Sequence, residues 1–415
     1  MTINTAWKIE IGGTTPTNFT SRVMGASINQ FVDVNTVGQG TCTVTLLNKD
    51  GALTPGGGGT YSNTDWFQQA MRVSVLTNTG GANTETLVFN GAVTDFDLMD
   101  DGVYSTVTIS ALDFLTFAGR TTAPTTGVSG NQSYTGRLTT WIGTSLGLPN
   151  YGASTISTTL TNLSSENPTC NRANAVYATL ADAIQIGTVP VANDVVWHDG
   201  MVIYNATTIG YTVNCIPSTN TRTTATRIDF EFSPVNLLSG SKLPFDDTSF
   251  KQAYNLPTLV TNAQCQGAFA GSTLQTSQSS NLSVYGYRTQ AFTNAEFETD
   301  TAALQMAQKL TNRYGTARFT PESMSISASL VKRLAADAAH SKWYALLSLT
   351  NGFWQKATVT WTGSGASSQT ANCVIKGRQI NITPDDAVVT LTLGNWTDNH
   401  AFILDTDKLN TDRLG

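Results

Sequence analysis

Short runs in which apolar and polar residues alternate dominate the first 120 residues. AWKIEIGG, SRVMGASINQFVDV and GTCTVTLLN follow one another, and in the last of these Cys42, Val44 and Leu46 share one face. MRVSVLTN and ETLVFNGAVTDFDL extend the series, and Met99-Asp100-Asp101-Gly102 then separates them from VYSTVTISALDFLTFAG. Asp-Gly between alternating runs marks a tight hairpin, because such turns need a backbone with φ > 0. Strands this short, with turns this frequent, predict an antiparallel barrel or sandwich.

The pattern changes after residue 120. GRLTTWIGTSLGLP puts Leu138, Trp141, Ile142 and Leu146 at helical spacing, and AVYATLADAIQIG does the same with Val176, Leu180, Ala183 and Ile184. DVVWHDGMVIYN predicts a hairpin turning at Asp199-Gly200, with YTVNCIP and TRIDFEFSP as further strands. Residues 251–298 are rich in Gln, Ser and Thr, and predict strands linked by exposed loops. TDTAALQMAQKLTNRYG is the clearest helix: Thr299 or Asp300 caps it, Leu304, Ala307, Leu310 and Tyr314 form a stripe, and Gly315 stops it.

Alternation returns past residue 320 in SMSISASL, ATVTWTG and CVIKGRQINITPDDAVVTLTLGNW, where Trp361 and Trp396 anchor a second β core. The expected fold class is α+β, mainly β, with two β-barrel domains flanking α/β insertions. The first barrel covers 1–120 and an α/β insertion domain 121–250. A second insertion segment, 251–316, carries the helix at 299–314. The second barrel covers 317–400, and 401–415 form a C-terminal tail.

Composition narrows the function. Only 13% of the 415 residues are charged, about half the usual share. Thr, Ser, Asn and Gln supply the polar surface instead, and such neutral groups hydrogen-bond across large contacts without the desolvation cost of charges. The formal net charge is −6, so the basic footprint of a nucleic-acid binder is missing and no sequence-specific nucleic acid is expected as a partner. No apolar run is long enough for a membrane-spanning helix, and MTINTAWKIEIGG does not have the pattern of a secretory signal. The five cysteines (42, 170, 215, 265 and 373) are dispersed, which predicts buried free thiols rather than disulfides or a zinc site.

Candidate chemistry is sparse. DFDLMDDG falls short of a calcium loop because Met99 occupies a ligand place, and reads as a hairpin turn. Asp246-Asp247 and Asp385-Asp386 are adjacent pairs whose side chains diverge on a strand. His198 precedes a turn, His340 ends an Ala-rich segment near a helix end, and His400 lies far from both. TGSGAS, at 362–367, reads as a hairpin loop rather than a nucleophile elbow, and no phosphate-cradling Gly-Lys-Ser/Thr motif occurs. Lys332-Arg333 reads as a solvated face. The expectation is no catalytic site, no metal and no cofactor. What remains is NKDGALTPGGGGTYSNTDWF, a glycine-rich loop leaving the 41–47 strand. Two readings stand for it: Pro55, Gly56, Trp66 and Phe67 dock on a neighbouring protein while the glycines supply reach, or the loop packs back on its own barrel.

Several blocks, in order, resemble the tail hub proteins of long-tailed bacteriophages. CTVTLLNKDGALTP resembles that family's early strand and turn. LVFNGAVTDFDLMDDGVYSTVTISALDFLTFAG resembles the next block, closing on Asp113 and Phe114. VYGYRTQAFTNAEFETDTAALQMAQKLTNRYGTARFTPESMSI is similar to the family's Tyr-Gly-x-Arg stretch, Ala-rich helix and returning strand. DDAVVTLTLGNWTDNHAFILDTDKLNTDRLG is similar to its last strand and acidic end. Together the blocks touch about half the chain.

The resemblance implies two barrels per chain and a homotrimer whose six barrels form a ring beneath a hexameric distal tail protein. It implies a place at the virion tail tip, contact with the tape measure protein and with central or peripheral fibres or receptor-binding proteins, and a channel for exiting DNA. It implies no enzyme and no stable membrane insertion. Two rival readings remain open: a glycan- or receptor-binding tail protein using Trp66, Trp141 or Trp354, and a tail-associated hydrolase built on two carboxylates from different elements.

Overall fold

The computed structural model describes residues 6–12, 16–33, 36–67, 69–79, 82–100, 105–113, 118–123, 130–133, 136–137, 140–141, 155–161, 169–170, 177–183, 197–204, 208–216, 228–254, 256–349, 352, 355–363 and 367–395. The first seven strands are β1 (Trp7–Ile11), β2 (Thr17–Asn18), β3 (Val23–Asp33), β4 (Thr36–Leu47), β5 (Ala70–Thr79), β6 (Ala82–Asp100) and β7 (Ser105–Leu112). Next come β8 (Gln132–Ser133), β9 (Thr155–Thr161), β10 (Thr169–Cys170), β11 (Trp197–Tyr204) and β12 (Thr208–Ile216). The third group is β13 (Phe230–Pro234), β14 (Leu243–Phe245), β15 (Lys251–Tyr254), β16 (Asn262–Gly267), β17 (Gln275–Gln278) and β18 (Thr289–Ala295). β19 (Phe319–Ser327), β20 (Lys356–Thr362), β21 (Ser368–Ile382) and β22 (Ala387–Asn395) complete the strands. Three helices matter below: α1 (Asp300–Tyr314), α2 (Ala328–Leu334) and α3 (Asp337–Leu347).

Fourteen strands share one branched sheet. β1 to β7 form its first half, in the order β3-β4-β7-β6-β5-β1-β2. The second half runs β14-β13-β20-β21-β22-β19-β15. Alternation explains the local structure: along β7 every second residue from Val107 to Ala111 is buried, and along β20 Ala357, Val359 and Trp361 point inward. The pairings recorded as ladders do not close either half into a ring. In the second half, however, the residue after β14 reaches β19, because the Asp246 N–H donates to the Ser325 carbonyl at 2.9 Å and the Ser325 N–H donates to Ser249 Oγ at 2.8 Å.

The halves meet where β21 pairs antiparallel with β3. On the buried face of that joint Ala26 lies opposite Ile382, Ile28 opposite Ile380, and Gln30 opposite Arg378. Arg378 is 1% exposed. Its Nε donates to Gln30 Oε1 at 2.9 Å, while its Nη atoms donate to the carbonyls of Leu346, Ser348 and Val88. A guanidinium has five donors in a rigid fork, so it can bind β3, β6 and the C-terminal end of α3 at once, and that helix end also favours a cation. One core cluster spans both halves, from Ile9 and Val44 to Val389 and Leu391, with Trp343, Leu346 and Leu347 of α3 inside it.

Several expectations change. Asp199-Gly200 does not turn: both residues lie inside β11, paired with Asn214 and Val213 of β12, because glycine also accepts extended backbone. SMSISASL is not one strand; β19 ends at Ser327, whose hydroxyl accepts the Leu330 N–H at 3.1 Å and starts α2. The Ala-rich stretch before His340 begins α3 rather than ending a helix. Two strands from the stretch read as insertion, β13 and β14, join the large sheet beside β20. The helix at 299–314 is present as α1, capped by Thr299, whose hydroxyl accepts the Ala302 N–H at 3.1 Å. Only Leu180–Asp182 of the second predicted helix is described, with a reciprocal Thr179–Asp182 capping box. Leu138, Ile142, Leu146, Val176, Ile184, the 101–104 turn, Trp396 and the 401–415 tail lie outside the described residues.

Residues 130–183 and 259–318 also meet. Arg137 and Glu296 are both fully buried and pair at 3.3 Å; Tyr177 Oη donates to Glu296 Oε1 at 2.9 Å, and Arg137 also reaches the Cys170 carbonyl. The Arg137 guanidinium lies 5.6 Å from the centre of the buried Trp141 ring. Breaking such a desolvated pair leaves an uncompensated charge, at a cost of about 3–5 kcal/mol.

Candidate docking surface

The 48–67 loop is organised by one buried side chain. Asn48 Oδ1 accepts the Leu53 N–H at 2.8 Å, and its Nδ2 donates to Thr54 Oγ1 and Ser105 Oγ. The Asn48 N–H in turn donates to the Ser105 carbonyl, fastening the loop to β7. Gly51 takes φ +67° in the turn that follows, and Arg22 grips Asp50 through both its Nη atoms at 2.6–2.7 Å. Further on, the Tyr61 N–H donates to the Ala52 carbonyl and the Gly56 N–H to the Ser62 carbonyl. A Cβ on Gly59 would lie 2.6 Å from the Ala52 Cα, so the chain crosses itself where only glycine fits. The glycines therefore close a compact Ω-like knot rather than lengthen a reach.

Aromatic packing seats the knot. The Trp66 ring stacks on Phe96 of β6 at 5.4 Å and 20°, and meets Phe19 at 5.7 Å and Tyr61 at 6.3 Å. Trp66 is 8% exposed, whereas its neighbour Phe67 is 60% exposed. Pro55 and Gly56 are exposed on the same loop. Of the four residues singled out by sequence, three face outward and Trp66 is the anchor beneath them.

A second apolar surface escaped the sequence reading. Tyr254 and Phe319, opposite each other in the β15–β19 register, are 60% and 56% exposed, with ring centres 5.3 Å apart. Val284 and Tyr287, both 69% exposed, belong to a short turn at Leu282–Tyr285 and after. That turn is tied to the chain leading into β19, because Asn281 Nδ2 donates to the Gly315 carbonyl and Thr316 Oγ1. The paired aromatics Tyr285 and Tyr287 of VYGYR, in a stretch otherwise rich in Ser, Thr and Gln, are the sequence signal for this surface.

The remaining candidates have structural employment. Asp246 caps the turn after β14 by accepting from Thr248, and Asp386 accepts from the Ser329 N–H and hydroxyl at the start of α2. Asp300 accepts from Thr273 and, more weakly in effect, from Ser272, and these hydrogen bonds hold its carboxyl below its ordinary range. Lys332 and Arg333 are exposed on the last turn of α2. Cys42, Cys170, Cys265 and Cys373 are buried free thiols, and burial pushes those of Cys170, Cys265 and Cys373 up to about 12, away from nucleophilic use. Among the described residues no group of three or more His, Cys, Asp or Glu is placed to hold a metal ion. A cleft of about 160 Å³ beside Phe245, Phe250 and Trp361 is smaller than the roughly 300–1,000 Å³ of ordinary ligand sites. Trp66 and Trp141 are buried, and Trp354 lies outside the described residues. No helix among the described residues is long and apolar enough to cross a membrane.

No protein-family model matches the sequence, and no curated protein sequence matches it. By structure, the chain is similar to the tail protein from Neisseria meningitidis MC58, with a TM-score of 0.57 and 8% identity over 94% of this chain and 96% of that one. It is also similar to the 43 kDa tail protein of prophage MuSo2 from Shewanella oneidensis, with a TM-score of 0.52 and 12% identity over 94% of this chain and 98% of the other. The chain carries the fold of these two tail proteins. That tail-protein fold extends over almost the whole chain, so both halves of the large sheet and the segments between them belong to it.

Proposed function

We propose that this protein is a structural component of a bacteriophage tail tip, a hub that works as a homotrimer and without catalysis. Each half of the large sheet, seven strands apiece, serves as one barrel-like module: the first keeps the expected 1–120 bound, and the second is the expected 317–400 module completed by β13, β14 and β15 from the stretches expected as insertions. Three chains then present six modules. They match the hexameric distal tail protein above, offer threefold symmetry to the tape measure protein and to central or peripheral fibres or receptor-binding proteins, and surround the channel through which DNA leaves.

The observation that carries this reading is the β3–β21 joint. Two modules of equal strand number share one continuous sheet, fixed by the Arg378 fork, so their relative pose is set within each chain. A symmetry adaptor needs that property, because six modules form a regular ring only if the spacing inside a chain reproduces the spacing between chains. The low charge suits a lumen that must pass DNA without holding it. Light-scattering mass measurement of the purified protein tests the proposal. A mass three times that of the subunit, with a six-lobed ring in averaged electron micrographs, is expected; a monomer at micromolar concentration overturns it.

A further inference from the structure

One face of the large sheet crosses the β3–β21 joint on uncharged, mostly polar side chains. The registers align Ser325, Thr390, Gln379, Asn29 and Thr41 in one row across β19, β22, β21, β3 and β4. The next row holds Val388, Asn381, Ser27, Thr43 and Ser110, and so reaches β7. Neither row contains an ionisable side chain, and every member is partly or fully exposed. Six strands at the usual spacing make this field about 24 Å across. Its groups bond to one another: Ser27 Oγ donates to Asn381 Oδ1 at 2.9 Å, and the Ser325 and Thr390 hydroxyls share a bond of 2.9 Å. Charged side chains return at the margins, among them Asp95 and Asp97 on β6, Lys356 on β20 and Lys251 on β15.

We infer that this face is the wall of the channel, and that the exiting DNA duplex is what moves past it. The assignment rests on the ring proposed above and names the surface within it. The core and its helices lie on the opposite side of these strands. Val331 of α2 and Trp343, Leu346 and Leu347 of α3 belong to the core cluster, and Arg378, which holds the end of α3, alternates with Gln379 and so points away from this face. When sheets close into a ring, the helix-bearing side takes the larger radius, as in α/β barrels, and the other side turns inward. Because the field spans the joint, both modules present the same chemistry, as a wall continuing from module to module requires. That chemistry also suits a polyanion in transit. Cations that neutralise phosphates release counterions and so hold DNA, and neither row carries one, although Lys49, Lys332 and Arg333 stand exposed elsewhere. Hydroxyls and amides instead keep water on the wall.

Two measurements on the assembled protein test the assignment. In the first, Gln379→Cys and, on α2, Lys332→Cys are each labelled with a maleimide gold cluster and averaged in end-on electron micrographs, with wild type treated alike as the blank. Gold is expected inside the hole of the ring for Gln379→Cys and outside it for Lys332→Cys. The second uses the triple variant Asn29→Lys/Thr41→Lys/Gln379→Lys, which puts cations along one row. It is expected to hold linear duplex DNA at least tenfold more tightly than a covalently closed circle of the same sequence, because only a duplex with ends can thread a ring; wild type is expected to hold neither. Lysines on an outer surface would bind both forms alike. A monomeric wild type overturns the ring and this wall together. A trimeric ring with the Gln379→Cys label on its outer rim, or with that position shielded from the label by a neighbouring subunit, overturns the wall alone, as does equal binding of linear and circular DNA. Should the lysines prevent assembly, the gold position decides.

Discussion

The 48–67 loop and the 254–319 surface contradict their own compositions. The first contains four consecutive glycines and a proline and reads as slack chain, yet nearly every turn of it is tied down around Asn48 and Trp66. The second reads as polar connecting chain, yet Tyr254 and Phe319 stand 60% and 56% exposed on the paired strands β15 and β19, and Val284 and Tyr287 69% exposed on the turn at 282–287. Glycine permits both wandering and crossing, and what decides between them is whether a buried polar group and an aromatic wait underneath. Apolar exposure, conversely, follows from the backbone that turns a side chain outward, a strand at Tyr254 and Phe319 and a short turn at Val284, not from the polarity of its neighbours in sequence.

Breaking the loop should cost most. Trp66→Ala removes a ring held by Phe19, Tyr61 and Phe96 and is expected to lower stability by about 3–5 kcal/mol in urea unfolding. Asn48→Ala strands the Leu53 N–H and loosens Thr54 and Ser105; about 1–3 kcal/mol is expected, read by the same method. Gly59→Ala forces a methyl against the Ala52 backbone, with about 1–3 kcal/mol lost and Trp66 fluorescence shifted to the red as the knot opens.

Acid gives a smaller effect with a defined sign. The Arg22 guanidinium, then the Ala52 N–H, hold the Asp50 carboxyl well below the usual carboxylate range. Its contribution is therefore complete above the unfolded value of about 3.9 and is lost as pH falls through the lower folded value. Because the pair is largely exposed, the change should stay within about 1 kcal/mol. It should appear as faster amide exchange at Ala52 at the acid end of a pH series and be absent in Arg22→Ala. Smallest of all, Val284→Ser and Phe319→Ser should leave unfolding of the lone subunit within about 0.5 kcal/mol, since those side chains already face solvent. A large loss there would mean that the second surface is core.

Much of the β architecture was legible because alternation is a local signal: the Cys42–Val44–Leu46 face and the 299–314 helix with its Thr299 cap follow directly from neighbouring residues. What was not legible depends on partners far away in the chain. Asp199-Gly200 has the chemistry of a turn, but β12 supplies an extended ladder that outweighs it. Nothing in the residues next to Arg378 or Arg137 marks them as buried; carbonyls and a carboxylate from distant elements surround them. Trp66 and Phe67 are adjacent and chemically alike; only the position of Phe96, on a strand some thirty residues later, decides which one faces inward.

The β21 strand has a mechanical meaning. Along one edge it bonds first to β20 and then to β3, with β22 along the other edge, so six registered residue pairs, Gly377–Phe31 to Ile382–Ala26, tie the halves together. A pull that tries to slide one half along the other loads those bonds in shear and together, whereas an opening pull would have to unzip them pair by pair. A body fastened in this way transmits thrust along the strands almost undamped, as a rigid washer does between two moving parts.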